Sequence, residues 1–488
     1  MKNIVIIGAG AAGLMTAATI LENTERFLPT QEWRETLHIH LFEKNTSPGK
    51  KVIISGWWRC NVTTGITGKK ILATKYTRGW EFIERAMGKF SPKKCREWFE
   101  AHGVPLKCEE DHRVFPISDD GHDVVGAFEE IFAKYRDRIT LHYGEWVSVI
   151  STELPVSVVM TRDPAQNEQD FSISLSLHSK WQIQQKWQKW EVKYQIITPK
   201  WSYEADVLVI TTGGNAYSHT GSTGDGYAFA RALGHTVTPL GPSLSSFLTE
   251  ETWLHALSGL AFEDAKITVP WYRHSRGMKW QNNPSFGKSE HGSLRASRWQ
   301  ELIWPLLLTH FGISWPLTFM TSSHLAFEDI GKWRTHMIHL IPRANMDGTV
   351  WDNFLKESFL LHPKKLITSI LSEKLPKRFA EAFVLEYFSS IRETFAGSIG
   401  KKDRENIAEL LGSGIPLTLL ERRPGDEFVT AGGVSTDELD PETMESNIHK
   451  SLYFAGEILN VDGYTWGFSL QICWASGYSA GKSILKIL

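Results

Sequence analysis

The sequence predicts an α/β protein built on a Rossmann-like dinucleotide-binding domain, and three observations predict it. A β-branched run from Lys2 to Ile7 enters the turn Gly8-Ala9-Gly10-Ala11-Ala12-Gly13, which opens a helical segment from Leu14 to Glu22. A second strand-like run, His38 to Phe42, ends in the acid Glu43. A third, Asp206 to Thr212, is wholly apolar from Val207 to Ile210 and runs into Gly213-Gly214, as expected of a strand covered on both faces.

Each element has a physical reason. Gly8 makes the tight turn, Gly10 lets the backbone approach a pyrophosphate, and Gly13 lets helix and strand pack closely. Ala11 and Ala12 then lie in the first helical turn, whose free amides attract phosphate. Glu43 is placed to accept hydrogen bonds from both ribose hydroxyls, and the polar stretch Asn23 to Arg34 accounts for its distance from the glycines, longer than the usual ~20 residues. To this point the cofactor is NAD or FAD. Near the C-terminus, Ser451 to Glu457 reads as a strand ending in Gly456-Glu457, suited to a ribityl chain, with Thr212 and Gly213 permitting close backbone approach. Asp462-Gly463 and Gly467-Phe468-Ser469-Leu470 then lead into an apolar helix whose N-terminal amides suit the flavin pyrimidine oxygen. Three separated stretches with one logic specify FAD.

Composition bounds the rest. A chain of 488 residues is long for one core and predicts two or three domains. With 42% hydrophobic and 22% charged residues and a net charge of −2, disorder and a globally basic nucleic-acid binder are excluded. Cys60, Cys95, Cys108 and Cys473 contain no C-x-x-C pair, which excludes a redox dithiol and a Cys-rich zinc site; no metal is expected. The apolar N-terminal run from Ile4 to Leu21 imitates a signal segment, but its glycines read as a strand-to-helix turn. A cytoplasmic chain with no membrane contact and no obligate protein partner is the expectation. The 20 tryptophans require explanation.

Several segments are peculiar enough to point to a family. Gly49-Lys-Lys51-Val-Ile-Ile-Ser55-Gly56-Trp-Trp-Arg59-Cys60-Asn61, Arg113-Val-Phe-Pro116, Thr220-Gly-Ser-Thr-Gly-Asp225-Gly226, Thr309-His-Phe-Gly-Ile-Ser314, Val429-Thr-Ala-Gly-Gly433-Val-Ser435 and Tyr453-Phe-Ala-Gly-Glu457 resemble the BaiN/RdsA-type NAD(P)/FAD-dependent oxidoreductases, in order and spacing over nearly the whole chain. The resemblance implies an FAD domain formed by residues 1–240 and 421–488, interrupted by a β-rich, barrel-like domain at 241–345 and a small helical domain at 346–420. The chain agrees: short apolar runs at Ile267 to Val269 and Trp304 to Leu308 flank a polar loop from Arg276 to Arg298. Helical periodicity then follows through Leu355, Phe359, Ile367, Ile370, Ala380 and Phe383. That segment suits a helical cover and a substrate-binding role equally. Lys44, Lys51, Arg59, Cys60, Asn61 and Val147 join the candidate cofactor contacts, Lys51 and Arg59 through phosphate.

The sequence departs from the family pattern in one direction. Trp57 and Trp58 replace two glycines of Ser-Gly-Gly-Gly-Arg-Cys-Asn, Trp315 replaces the glycine of Ile-Ser-Gly-Pro, and Trp466 replaces the first glycine of Tyr-Thr-Gly-Gly. Three readings compete: aromatic walls around a rebuilt site, ordinary core residues, as for Trp98 and Trp474, or a UGA codon that means glycine and was translated as tryptophan. The third explains both the excess and its direction, and is favoured.

The expected activity is reduction of an activated carbon–carbon double bond by hydride from reduced flavin. The resemblance implies either bile-acid intermediates or a uridine of ribosomal RNA as substrate, the latter the more plausible housekeeping role. No second G-x-G-x-x-G unit follows a strand, so NAD(P)H is expected as a transient donor. Cys60 is a candidate proton donor, though a buried cysteine is more often a small apolar filler; His310 is a candidate acid or substrate contact, or a structural histidine, and Asp225 a turn residue or a ligand-hydroxyl contact. Lys69-Lys70, Lys93-Lys94 and Lys401-Lys402 through Arg404 offer charge to RNA phosphates or to solvent. The rivals are a small-molecule enone reductase, a flavin oxidase or monooxygenase, and a non-catalytic flavin-bound RNA-binding factor.

Overall fold

The computed structural model describes residues 2–27, 37–152, 158–162, 171–175, 193–270, 299–331 and 336–488. The polar stretch from Asn23 is helical as far as Phe27; its remainder, and the loop from Arg276 to Arg298, lie outside the described residues. Two compact units are present, Met1–Pro242 with Phe428–Leu488, and Ser243–Glu427.

The first unit is organised by a five-stranded parallel sheet. Its order is Leu452–Phe454, Val207–Ile210, Lys2–Ile7, Leu37–Glu43, Ile139–Tyr143. Ile4 lies opposite Val207 on one side and Ile39 on the other. Ile4 to Ile6 and Val207 to Ile210 are fully buried, each side chain contributing about 1.5–3 kcal/mol on burial. The helix Ala11–Phe27 packs against the C-terminal helix Phe468–Ile487. Glycine makes the contact close: a Cβ on Gly477 would lie 2.5 Å from the Ala12 carbonyl oxygen, and Thr16 Oγ1 donates to the Gly477 carbonyl at 3.2 Å. Because the strands are parallel, Ile7, Glu43 and Ile210 finish at one edge, where open α/β sheets bind ligands.

In the second unit, six strands close into a barrel in the order Phe247–Thr249, Gly312–Ser314, Trp299–Thr309, Ala261–Pro270, His336–Ile341, Ile415–Arg422. Closure leaves no edge for another chain to pair with. The two short apolar runs expected here belong to the long antiparallel pair, with Ile267 opposite Leu302. The strand Ile415–Arg422 pairs with His336–Ile341, so the barrel takes its last strand from after the helices, beginning inside the 346–420 range expected to be helical. The helices Gly348–Leu361, Ile367–Leu371, Lys377–Tyr387 and Lys401–Ser413 lie in the same unit. Asp347 caps the first, accepting from Val350 N at 2.9 Å. Phe379 meets Phe262 of the barrel edge-on with ring centres 5.0 Å apart. None of the described helices is long and apolar enough to cross a membrane.

Candidate flavin site

The glycine fingerprint performs its three tasks separately. Gly8 has φ +105°, and a Cβ there would sit 2.6 Å from the Thr211 carbonyl oxygen. A Cβ on Gly13 would meet the Gly8 carbonyl oxygen at 1.9 Å. Among the described residues none lies within 4 Å of where a Gly10 Cβ would be: its open face is the approach a pyrophosphate needs. Gly13→Val is therefore expected to yield protein without bound flavin, most of it insoluble, measured as yellow absorbance per soluble chain.

A cleft opens at this edge of the sheet, lined by Gly8, Glu43, Lys44, Val147, Thr212 and Asp225 among others. Glu43 closes the second strand. Its Oε2 accepts from Ala9 N at 3.0 Å and its Oε1 from Asn45 N at 2.9 Å; burial raises its pKa while those bonds hold it down. Backbone bonds from Gly144 N to the Asn45 carbonyl and from Glu145 N to the Glu43 carbonyl lay the 144–147 segment along that strand end, which brings Val147 to the wall. Among the described residues the buried Thr212 Oγ1 has no hydrogen-bond partner, and a bound ligand would satisfy it. Bare glycine at the turn, a carboxylate at the strand end and an orphaned hydroxyl fit the adenosine half of a dinucleotide. Replacing Glu43 by Gln removes a charge-assisted acceptor for the ribose hydroxyls, worth about 1.5–3 kcal/mol. FAD dissociation by equilibrium titration is expected to weaken about tenfold or more.

Other expected contacts are engaged within the protein. Lys44 Nζ bonds Asp225 Oδ2 at 3.0 Å and also Thr223 Oγ1, and Lys51 Nζ bonds Glu457 Oε2 at 2.9 Å. Glu457 Oε1 accepts from Thr430 N at 3.0 Å, a residue of the Val429–Ser435 motif whose pairing with Glu457 the sequence does not show. Arg59, expected at phosphate, lies over the Phe115 ring and is held by Glu109 and Asp119. Two carboxylates there would repel a phosphate. Asn61 Oδ1 accepts from Val114 N at 3.1 Å, a structural tie. Asp462, buried at 1% exposure, is bound by both Arg78 Nε and its terminal nitrogen at 2.5 Å. Sequence reading missed Arg78, since a lone arginine in a short strand carries no motif.

Gly467, with φ +81°, caps the C-terminal helix; a Cβ there would strike the Thr63 carbonyl oxygen at 2.4 Å. Phe468 behind it is buried, whereas Leu470 is half-buried. Gly463 lies against Phe468 and Tyr76, and Gly456 against Ala12. Gly213 has φ +77° beside Ser222. Cys60 is fully buried, and burial pushes its thiol up to about 12, which makes it a poor proton donor. His310 is exposed in the turn between two barrel strands, edge-on to Phe311; the structure does not place it among the buried structural histidines.

The parallel sheet, its glycine cradle and the carboxylate at the second strand define a dinucleotide-binding protein, and its family and relatives make it an FAD-dependent oxidoreductase. The chain belongs to the HI0933-like family, whose Rossmann-domain model matches residues 2–174 and 165–483. It is 25% identical over 491 residues to a 3-dehydro-bile acid delta(4,6)-reductase of Clostridium scindens, covering 99% of each chain. It is also 25% identical over 487 residues to a ribosomal RNA dihydrouridine synthase of Haemophilus influenzae, covering 99% of this chain and 98% of that one. A protein of the same description from Escherichia coli is 24% identical over 481 residues, with 99% and 97% covered.

Proposed function

We propose that this protein reduces a carbon–carbon double bond conjugated to a carbonyl, with a uridine of ribosomal RNA as the substrate and NAD(P)H as a donor that visits transiently. The carrying observation is that relatives matching this chain end to end are named for two reductions of that one type, on a bile acid and on uridine. In both, hydride adds to the carbon β to the carbonyl, the negative charge left on the adjacent α-carbon is delocalised into that carbonyl, and a proton from water then completes the reduction at the α-carbon. Bound FAD would supply that hydride. The chain's own residues do the holding: the Gly8–Gly13 turn takes the pyrophosphate, Glu43 the ribose and the Val147 segment the adenine edge. Cys60 and His310 have no role in this reading. Ribosomal RNA is favoured over a steroid because two of the three relatives described carry that activity in their names.

The test is anaerobic reduction of the bound flavin with NADH or NADPH, followed by reoxidation with ribosomal RNA fragments or with a conjugated enone. Reoxidation by RNA with stoichiometric dihydrouridine is the expected result. Reoxidation by the enone alone would remove RNA from the reading. Substrate hydroxylation coupled to oxygen uptake would overturn the reductase itself. Binding to the RNA fragment should weaken steeply with salt, about 10³-fold or more between 50 and 200 mM if six or more phosphates are contacted, as read by fluorescence anisotropy.

A further inference from the structure

The backbone conformation at four tryptophans belongs to glycine. Among the described residues, eleven non-glycine positions have left-handed φ, and four are tryptophan: Trp57 (φ +61°), Trp58 (+70°), Trp315 (+79°) and Trp466 (+79°). Tryptophan supplies 20 of 488 residues, about 4% of the chain, so a share near one in three is not its ordinary distribution. The other left-handed residues, Cys60, His112, Asp119, Tyr217, Leu244, Met444 and Ser451, are seven different types, each occurring once.

The local geometry sharpens this. Gly56, at φ +59°, precedes Trp57 and Trp58, giving three consecutive left-handed residues, a run that Cβ–carbonyl repulsion disfavours by about 1–2 kcal/mol for each residue bearing a side chain. The run is pinned: Trp58 N donates to the Ile54 carbonyl, and the Trp58 carbonyl accepts from Gly121 N at 2.8 Å. Trp315 has φ +79° with ψ −178°, a region that is essentially glycine-only. It is held there by Ser314 in the barrel ladder before it and by its own carbonyl, which accepts from Phe319 N at 3.0 Å. Trp466 precedes left-handed Gly467, so two such residues stand in succession at the helix cap.

The indoles give no compensating burial at three of the sites. Trp57 is 89% exposed, Trp58 62% and Trp315 46%, so they are neither core residues nor packed walls. Trp98 and Trp474 behave as tryptophans do. Trp474 is fully buried in a right-handed helix and donates to the Val62 carbonyl at 2.9 Å. Trp98 stacks on Phe128 with ring centres 5.0 Å apart.

We infer that the functional polypeptide carries glycine at 57, 58, 315 and 466, the gene reading UGA as glycine, and that the turn after Ser55 and the turn before Gly467 present bare backbone in the flavin-binding unit. The inference stands whether or not RNA is the substrate. The test is mass-spectrometric sequencing of the protein isolated from the organism that carries the gene, with the codons read alongside. Glycine at the four positions, tryptophan at 98 and 474, and UGA against UGG codons are expected. Tryptophan in the isolated protein, or UGG in the gene, at any of the four would overturn it.

Discussion

Asp462→Asn is expected to destabilise the flavin-binding unit by about 3–5 kcal/mol, because it takes the negative charge out of a buried, doubly hydrogen-bonded ion pair with Arg78. Asp462 and Arg78 have side-chain exposures of 0% and 7%, and the pair joins the short strand Tyr76–Arg78 to the segment Asp462–Gly463 across most of the chain length. Urea denaturation read by tryptophan fluorescence measures the loss. The origin of the loss is tested by the double change of Arg78→Met with Asp462→Leu, which removes both charges. If uncompensated charge is the cause, the double variant recovers most of the stability; if the pair is only a packing element, it is at least as unstable as Asp462→Asn. Flavin retention is expected to follow stability, since Gly467 and the helix it caps come directly after this segment.

The second large effect has the opposite sign. Returning Trp57, Trp58, Trp315 and Trp466 to glycine is expected to stabilise a recombinant chain that carries tryptophan. A non-glycine residue held in the left-handed region costs about 1–2 kcal/mol, and one in the glycine-only region about 1–3 kcal/mol. Glycine gives back about 0.5–1 kcal/mol through its greater unfolded-state freedom. The net gain is about 1 kcal/mol per site, read as a rise in the denaturation midpoint. Trp315→Gly acts in the barrel-containing unit and the other three in the flavin-binding unit, so the two sets are measured separately. A fall in stability at Trp57 or Trp58, whose rings lie mostly in solvent, would mean that the turn is not strained by tryptophan.

Much of the cofactor half of the site is legible in the amino-acid sequence. Gly8, Gly10, Gly13 and Glu43 can be read there because each answers a local demand, a turn, a close approach or a strand end, that a short spacing reveals. The oddity of the four tryptophans is likewise visible as a departure from a glycine pattern. Arg59, Asn61 and Asp462 show where such reading stops. Each stands at a motif position, yet Arg59 is taken by Glu109 and Asp119, Asn61 by Val114, and Asp462 by Arg78. Those partners lie far away in the chain, and no local signal marks them. Cys60 poses the same difficulty: whether a thiol is accessible or fully buried depends on what packs around it.

The sequence by itself determined the parallel α/β unit, the glycine turn and the acid that follows it, because periodicity and backbone demand are properties of neighbouring residues. Only the tertiary structure decided which charges are free to meet a ligand and which are neutralised by distant partners, because charge pairing depends on proximity in space. The backbone angles at the four tryptophans were fixed in the same way, by ladders and helix caps that impose a conformation whatever side chain the codon supplies.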